Sequence, residues 1–205
     1  MACAQCLITS KSAASAWNLD HLVVLSAGST EAAQSAAKTW LNWSPRPYVV
    51  LDKSAVPNLG LDSSTYLYFI LRHYDALPRW LCFLHLHEYH WHHPRYSQLK
   101  SMAIDVDALG ERYLSLAHDR EGTLVAYDKP PLRELNGSEH EFLRESLLGL
   151  RAPLRPNQEV RFAPGGQFWV ARARILARPR SFYAALYDAV TDPTHPQLGE
   201  GRSSS

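Results

Sequence analysis

The chain has 205 residues, with 21 Lys and Arg against 20 Asp and Glu, 46% hydrophobic residues and 20% charged ones. This length suits one domain with a real core, and the near-neutral balance lacks the basic excess that marks a nucleic-acid binder. No apolar run approaches the roughly 20 residues of a membrane helix, and residues 1–17 show neither a basic leader nor a continuous apolar stretch, so no signal peptide is expected.

Three cysteines cannot build a disulfide framework. Cys3 and Cys6 form a CxxC with no second pair to complete a structural zinc site. Cys82, within Leu81-Cys82-Phe83-Leu84, reads as a core residue. A reducing compartment follows, and the cytoplasm is the expected location. A Golgi or secretory lumen fits only a truncated chain, and only there would the sequons at Asn42 and Asn136 have meaning.

Residues 1–20 read as a ragged, polar segment. His21 to Ser26 then forms a short buried strand ending at Ala27-Gly28-Ser29. From Thr30 to Leu41 the residues Ala33, Ala36, Ala37, Trp40 and Leu41 recur at helical spacing until Pro45 and Pro47 intervene. Tyr48 to Leu51 is a second buried strand. After the loop from Asp52 to Gly60, Asp62 and Ser63 are candidate N-caps for a helix. Its stripe is Tyr66, Leu67, Ile70, Leu71 and Tyr74. Leu77-Pro78 closes that helix, and Trp80 to Leu86 is a third strand.

The second half is less regular. Residues 102–117 are expected to be helical in part. Thr123 to Tyr127 and Glu159 to Ala163 are expected as strands. Ser138 and Glu141 form a capping box for a helix through Leu150. Gln167 to Ala171 reads as a strand after the Pro164-Gly165-Gly166 turn, a helix follows from Ser181, and residues 191–205 read as a disordered tail. The expected fold is therefore a single α/β domain over residues 21–190 with a mostly parallel sheet flanked by helices. Its two halves are residues 21–94 and 95–190.

In such sheets the chemistry sits at the carboxyl ends of the strands. Those ends are Ser26 to Ser29, Asp52-Lys53-Ser54, and the segment 83–94, FLHLHEYHWHHP, which holds five of the ten histidines. His85 and His87 share a face if the strand continues, and Glu88 and His90 lie just beyond. Two imidazoles and a carboxylate suit a divalent ion such as zinc, although polar residues at a wet strand end would look the same. Asp52 can accept hydrogen bonds from a ribose or base, and Ser54 with backbone N–H groups can meet phosphate. Asp62 taken alone is a helix cap, and Gly165-Gly166-Gln167 permits close backbone approach. No GxSxG, GxxxxGK[ST] or GxGxxG is present, which argues against serine hydrolases, P-loop enzymes, kinases and dinucleotide oxidoreductases.

The succession VVLDKS, NLGLDSSTYLYFILRHYDALP and WLCFLHLHE resembles the early part of nucleotide-sugar glycosyltransferases of the glycosyltransferase-A fold, a Rossmann-like architecture. Closer still, Pro57-Asn58-Leu59-Gly60, His73-Tyr74-Asp75, Leu77-Pro78 and Phe83-Leu84-His85 are similar to an uncharacterised domain family. So are the later Gly165-Gly166-Gln167-Phe168, Val170, Arg172, Arg178-Pro179 and Phe182-Tyr183. The resemblance spans about residues 21 to 190 and implies a nucleotide-sugar donor and an acceptor still to be identified.

Under it, Asp52, Lys53 and Ser54 contact the nucleotide, Asn58 and Gly60 shape its loop with Asp62 beside them, and Gly165, Gly166 and Gln167 line the acceptor side. The stretch from His85 through His87 to Glu88 takes the metal and diphosphate position, with manganese, magnesium or zinc as the implied ion. Glu88 or His90 serves as the general base. The chain departs from the pattern in having His-x-His where those enzymes carry Asp-x-Asp, and magnesium and manganese prefer oxygen ligands. A metal-dependent hydrolase built on the histidine cluster and a non-catalytic binding module on the same fold are the competing readings.

Overall fold

A computed structural model describes residues 7–9, 20–32, 34–35, 38, 46–53, 56, 62–85, 104–110, 113–116, 123–126, 159–162, 166–192 and 194. Among the described residues eight strands fall in chain order: β1 Leu7–Thr9, β2 His21–Ala27, β3 Tyr48–Asp52, β4 Trp80–His85, β5 Tyr113–Ser115, β6 Thr123–Ala126, β7 Glu159–Phe162 and β8 Phe168–Ala171. The helices named here are α1 Asp62–His73, α2 Arg172–Leu176 and α3 Arg180–Thr191.

Six strands make one sheet in the order β1-β3-β2-β4-β8-β5, and β6 and β7 pair separately. Only β3-β2 and β2-β4 are parallel, whereas β1-β3, β4-β8 and β8-β5 are antiparallel. The fold is thus α/β with a mixed sheet, and the expectation of a mostly parallel one is corrected. The alternation of strand and helix that signals parallel pairing stops after β4.

The parallel core follows from composition. β2 and β3 are apolar on both faces, as strands covered on both sides must be. Val23, Leu25, Tyr48, Val50, Trp80, Cys82, Leu84 and Trp169 form the core on one face. Leu22, Val24, Val49, Leu51, Leu81, Phe83, Tyr66, Phe69 and Ile70 form it on the other. Residues 30–32 are helical, and Ala32 packs on the first face, whereas α1 packs on the second. The chain leaves β2 for β3 on one side and crosses back from β3 to β4 on the other. Right-handed crossovers in opposite directions must cover opposite faces, as these do.

Several expectations need adjustment. Among the described residues of 102–117, where helix was expected in part, there are a 3-10 turn, Asp107–Leu109, and the strand β5. Helix α1 starts at Asp62, so Asp62 is a first-turn residue and not the cap before it. β1 pairs with the edge of β3, from Leu7 opposite Leu51 to Thr9 opposite Val49. The short α2 also had no counterpart in the sequence reading. The helix expected at 138–150 lies outside the described residues, as does the tail apart from residues 191, 192 and 194.

Candidate functional site

The order β3-β2-β4 sends the connection after β2 one way across the sheet and the next strand the other way. The switch point of the sheet therefore falls at the carboxyl ends of β2 and β4, the usual place for a ligand in an open α/β sheet. In register there, Ser26 of β2 lies opposite His85 of β4, and Ala27 opposite Asp52 of β3. β8 runs antiparallel to β4 with Phe168 opposite Phe83, so Gly166 and Gln167, just before β8, also lie at this edge. The Gln167 carbonyl accepts the Leu116 N–H at 2.9 Å, and the residue is buried.

Asp52 is 8% exposed, and one carboxylate oxygen accepts the Thr30 hydroxyl at 2.5 Å. That bond ties the end of β3 to the helical residues after β2. On the other face, Lys53 reaches the first turn of α1, where its ammonium pairs with Asp62. The Lys53 side chain is 8% exposed and that of Asp62 17%. A carboxylate at a helix N-terminus is favoured by the unsatisfied N–H groups and the macrodipole, so Asp62 suits its position even without the lysine. Two carboxylates and one ammonium leave a single negative charge on this rim.

Two hydroxyls extend the site inward. Ser26 Oγ and Thr65 Oγ1 are shut off from solvent with no hydrogen-bond partner. Ser26 follows Leu22 and Val24 at strand spacing, so it faces α1. Phe69 packs on Phe83, which is opposite Val24, and Thr65 precedes Phe69 by one turn. One turn is about 5.4 Å and two strand residues about 6.8 Å, so Thr65 lies near the level of Ser26, above the same face. The Tyr66 ring is on Phe83 at 4.7 Å and on Phe168 at 6.2 Å, and burial holds its phenol well above the usual tyrosine range, with the Asp62 charge adding to the shift. The carboxyl edge is open at Gly28, where an added Cβ meets no atom within 4 Å.

The structure thus brings Asp52, Lys53, Asp62, Gly166 and Gln167 to one edge of the sheet. His85 is placed there by its backbone. Ser54, Asn58, Gly60, Gly165, His87, Glu88 and His90 lie outside the described residues, so the catalytic and most of the metal assignments fall there too. Among the described residues no group of three or more His, Cys, Asp or Glu is placed to hold a metal ion. Sequence reasoning placed Ser26 at a strand end without giving it a role, and missed Thr30 and Thr65. Ser26 is the one polar residue among the six that follow His21 in β2, and that interruption was the available signal.

No helix among the described residues is long and apolar enough to cross a membrane. No curated protein and no solved structure matches the chain. A family model does match, over residues 23–204, from the start of β2 through the sheet, α1 and α3 and beyond. With nearly the whole chain covered, the protein belongs to the family described as Protein of unknown function (DUF3431).

Proposed function

We propose that the protein is a glycosyltransferase-like enzyme of glycosyltransferase-A type that binds a nucleoside-diphosphate sugar at the carboxyl edge of β3, β2 and β4 and passes the sugar to an acceptor. The observation that carries this reading is that Asp52, Lys53 and Asp62 at the end of β3 and Gln167 before β8 flank, from either side, the switch point between β2 and β4. In this reading Asp52, held by Thr30, accepts hydrogen bonds from the nucleoside. Lys53 lies toward the phosphates, Ser54, Asn58 and Gly60 form the loop around them, and Gly165, Gly166 and Gln167 face the acceptor.

The rim charge gives this reading a requirement. With one net negative charge from Asp52, Lys53 and Asp62, a diphosphate is repelled unless a cation accompanies it. His85, His87 and Glu88 would hold a divalent ion, and its chemistry when bound is to neutralise the diphosphate leaving group. The nitrogen-rich donor set suits zinc better than manganese or magnesium. Glu88 or His90 takes the proton from the acceptor hydroxyl.

The test is a thermal-shift panel of UDP, GDP and CDP, each with manganese, magnesium, zinc or a chelator. A ligand at 100 times its dissociation constant stabilises the native state by about 2.7 kcal/mol. At about 2–4 °C per kcal/mol for a domain of this size, the midpoint rises by roughly 5–11 °C. The expected result is a shift for one nucleotide that disappears with chelator and with Asp52→Ala. No shift for any nucleotide, or a shift for zinc alone, overturns the proposal, and the latter outcome favours a metal-dependent hydrolase.

A further inference from the structure

The opposite edge of the sheet, where β4 begins and β8 ends, is built differently. Ala171 is opposite Trp80, and the chain then runs through α2 and a short link into α3 with the sequence RARILARPR over residues 172–180. Four of those nine residues are arginine. Ile175, 3% exposed, is the buried anchor of this segment, while residues 172–174 and 176–181 are all exposed. Leu176 is 44% exposed, one of two large apolar residues so exposed among the described ones.

The segment is fixed in place. An Arg172 guanidinium N–H donates to the Leu77 carbonyl at 3.3 Å, and one of Arg180 donates to the Leu71 carbonyl at 2.9 Å. The Arg178 carbonyl accepts the Tyr74 hydroxyl at 2.5 Å, and the Arg178 guanidinium covers the Phe182 ring at 5.3 Å to its centroid. Arg72 and Arg79 are exposed nearby, at the end of α1 and the start of β4. Asp75 lies 3.6 Å from Arg180, and Asp107 lies 3.1 Å from Arg79. In a chain of net charge +1, six arginines thus gather around an exposed leucine on one edge.

We infer that this edge docks on an anionic lipid bilayer, with Arg172, Arg174, Arg178 and Arg180 toward the headgroups and Leu176 entering the interface. Basic residues at such a surface contribute about 1 kcal/mol each, and an apolar side chain set among them gains by leaving water. A nucleic acid offers the same phosphates but no apolar layer for Leu176. Docked this way, the carboxyl edge with its candidate site faces away from the bilayer.

The test is co-sedimentation of the full chain with phosphatidylcholine vesicles and with vesicles containing 30% phosphatidylserine. Binding is expected only to the anionic vesicles and should weaken as salt rises from 50 to 500 mM. Arg174→Gln with Arg178→Gln should weaken it by about 30-fold, the equivalent of about 2 kcal/mol. Leu176→Ser alters no charge and should weaken it severalfold. Circular dichroism and the thermal midpoint of each variant establish that it is folded. Absence of binding to anionic vesicles at 50 mM salt overturns the inference. So does undiminished binding by the folded double variant, or binding to a homopolymeric RNA in preference to vesicles.

Discussion

Replacement of Lys53 and Asp62, singly and together, measures how firmly the rim of the site is built. The ammonium is 8% exposed and the carboxylate 17%, so neither can be rehydrated well once its partner is gone. Breaking a fully buried pair costs about 3–5 kcal/mol, mostly through the charge left behind, whereas exposed pairs are worth under about 1 kcal/mol. The partial exposure of Asp62 puts Lys53→Met at about 2–3 kcal/mol. Asp62→Asn strands the more deeply buried ammonium and should cost about 3 kcal/mol. At about 2–4 °C per kcal/mol, each single variant melts roughly 4–12 °C below wild type. Lys53→Met with Asp62→Asn removes both charges and should return to within about 1 kcal/mol of wild type, a coupling of at least about 4 kcal/mol. Urea unfolding followed by tryptophan fluorescence gives all four corners of the cycle. Additive single effects, with coupling below about 0.5 kcal/mol, would refute the view that the two groups meet away from water.

Three further outcomes follow from the same structure. The His73 ring lies 4.8 Å from Phe69, and burial, helped by the Arg72 charge, pushes its pKa from 6.5 down to about 4. The unfolded chain therefore binds more protons between those values, so stability is full above pH 6.5 and is lost as pH falls toward 4. Allowing for solvent screening, the loss from pH 7 to pH 5 is about 1 kcal/mol in urea titrations, and it should vanish in His73→Phe. Phe83 meets Tyr66, Phe69 and Phe168 at ring separations of 4.7, 6.2 and 5.3 Å, so Phe83→Ala should cost about 3–5 kcal/mol in the same assay. Gly28→Leu, placed where an added Cβ meets nothing within 4 Å, should keep the wild-type melting temperature within about 2 °C while abolishing any nucleotide-induced shift. A retained shift would place the ligand elsewhere.

The central sheet was legible because burial on both faces writes itself into the chain. His21 to Ser26, Tyr48 to Leu51 and Trp80 to Leu86 were each within one residue of β2, β3 and β4. The pairing of the later strands was not legible. β8 is a run of four residues, FWVA, and nothing in its composition says whether it lies parallel or antiparallel to β4. Direction is set by the path of the intervening chain, which carries no clear periodic pattern. β1 is three residues long, and β5 also spans three, below the length at which alternation can be recognised. At Asp62 the residue type was read correctly as a helix-start signal, but Asp is favoured both at the cap and in the first turn, so type alone cannot separate the two.

The two edges of the sheet also differ in how their chemistry could be read. At the carboxyl edge the partners are separated in sequence, and nothing beside Lys53 pointed to Asp62, which α1 places against it. The pairing of Thr30 with Asp52 spans 22 positions and left no local trace. At the amino edge four of the arginines fall within nine residues, yet their exposure is a property of the fold, since only Ile175 of that segment turns inward. β4, six residues long, separates the edges by about 20 Å. That exceeds twice the roughly 8 Å Debye length at physiological salt, so exposed charges at one edge scarcely act on the other. Arg174→Gln with Arg178→Gln should consequently leave any nucleotide-induced shift intact while vesicle binding falls, and Asp52→Ala should do the reverse. Loss of both activities in either folded variant would mean that the edges are coupled through the sheet itself, against the electrostatic argument.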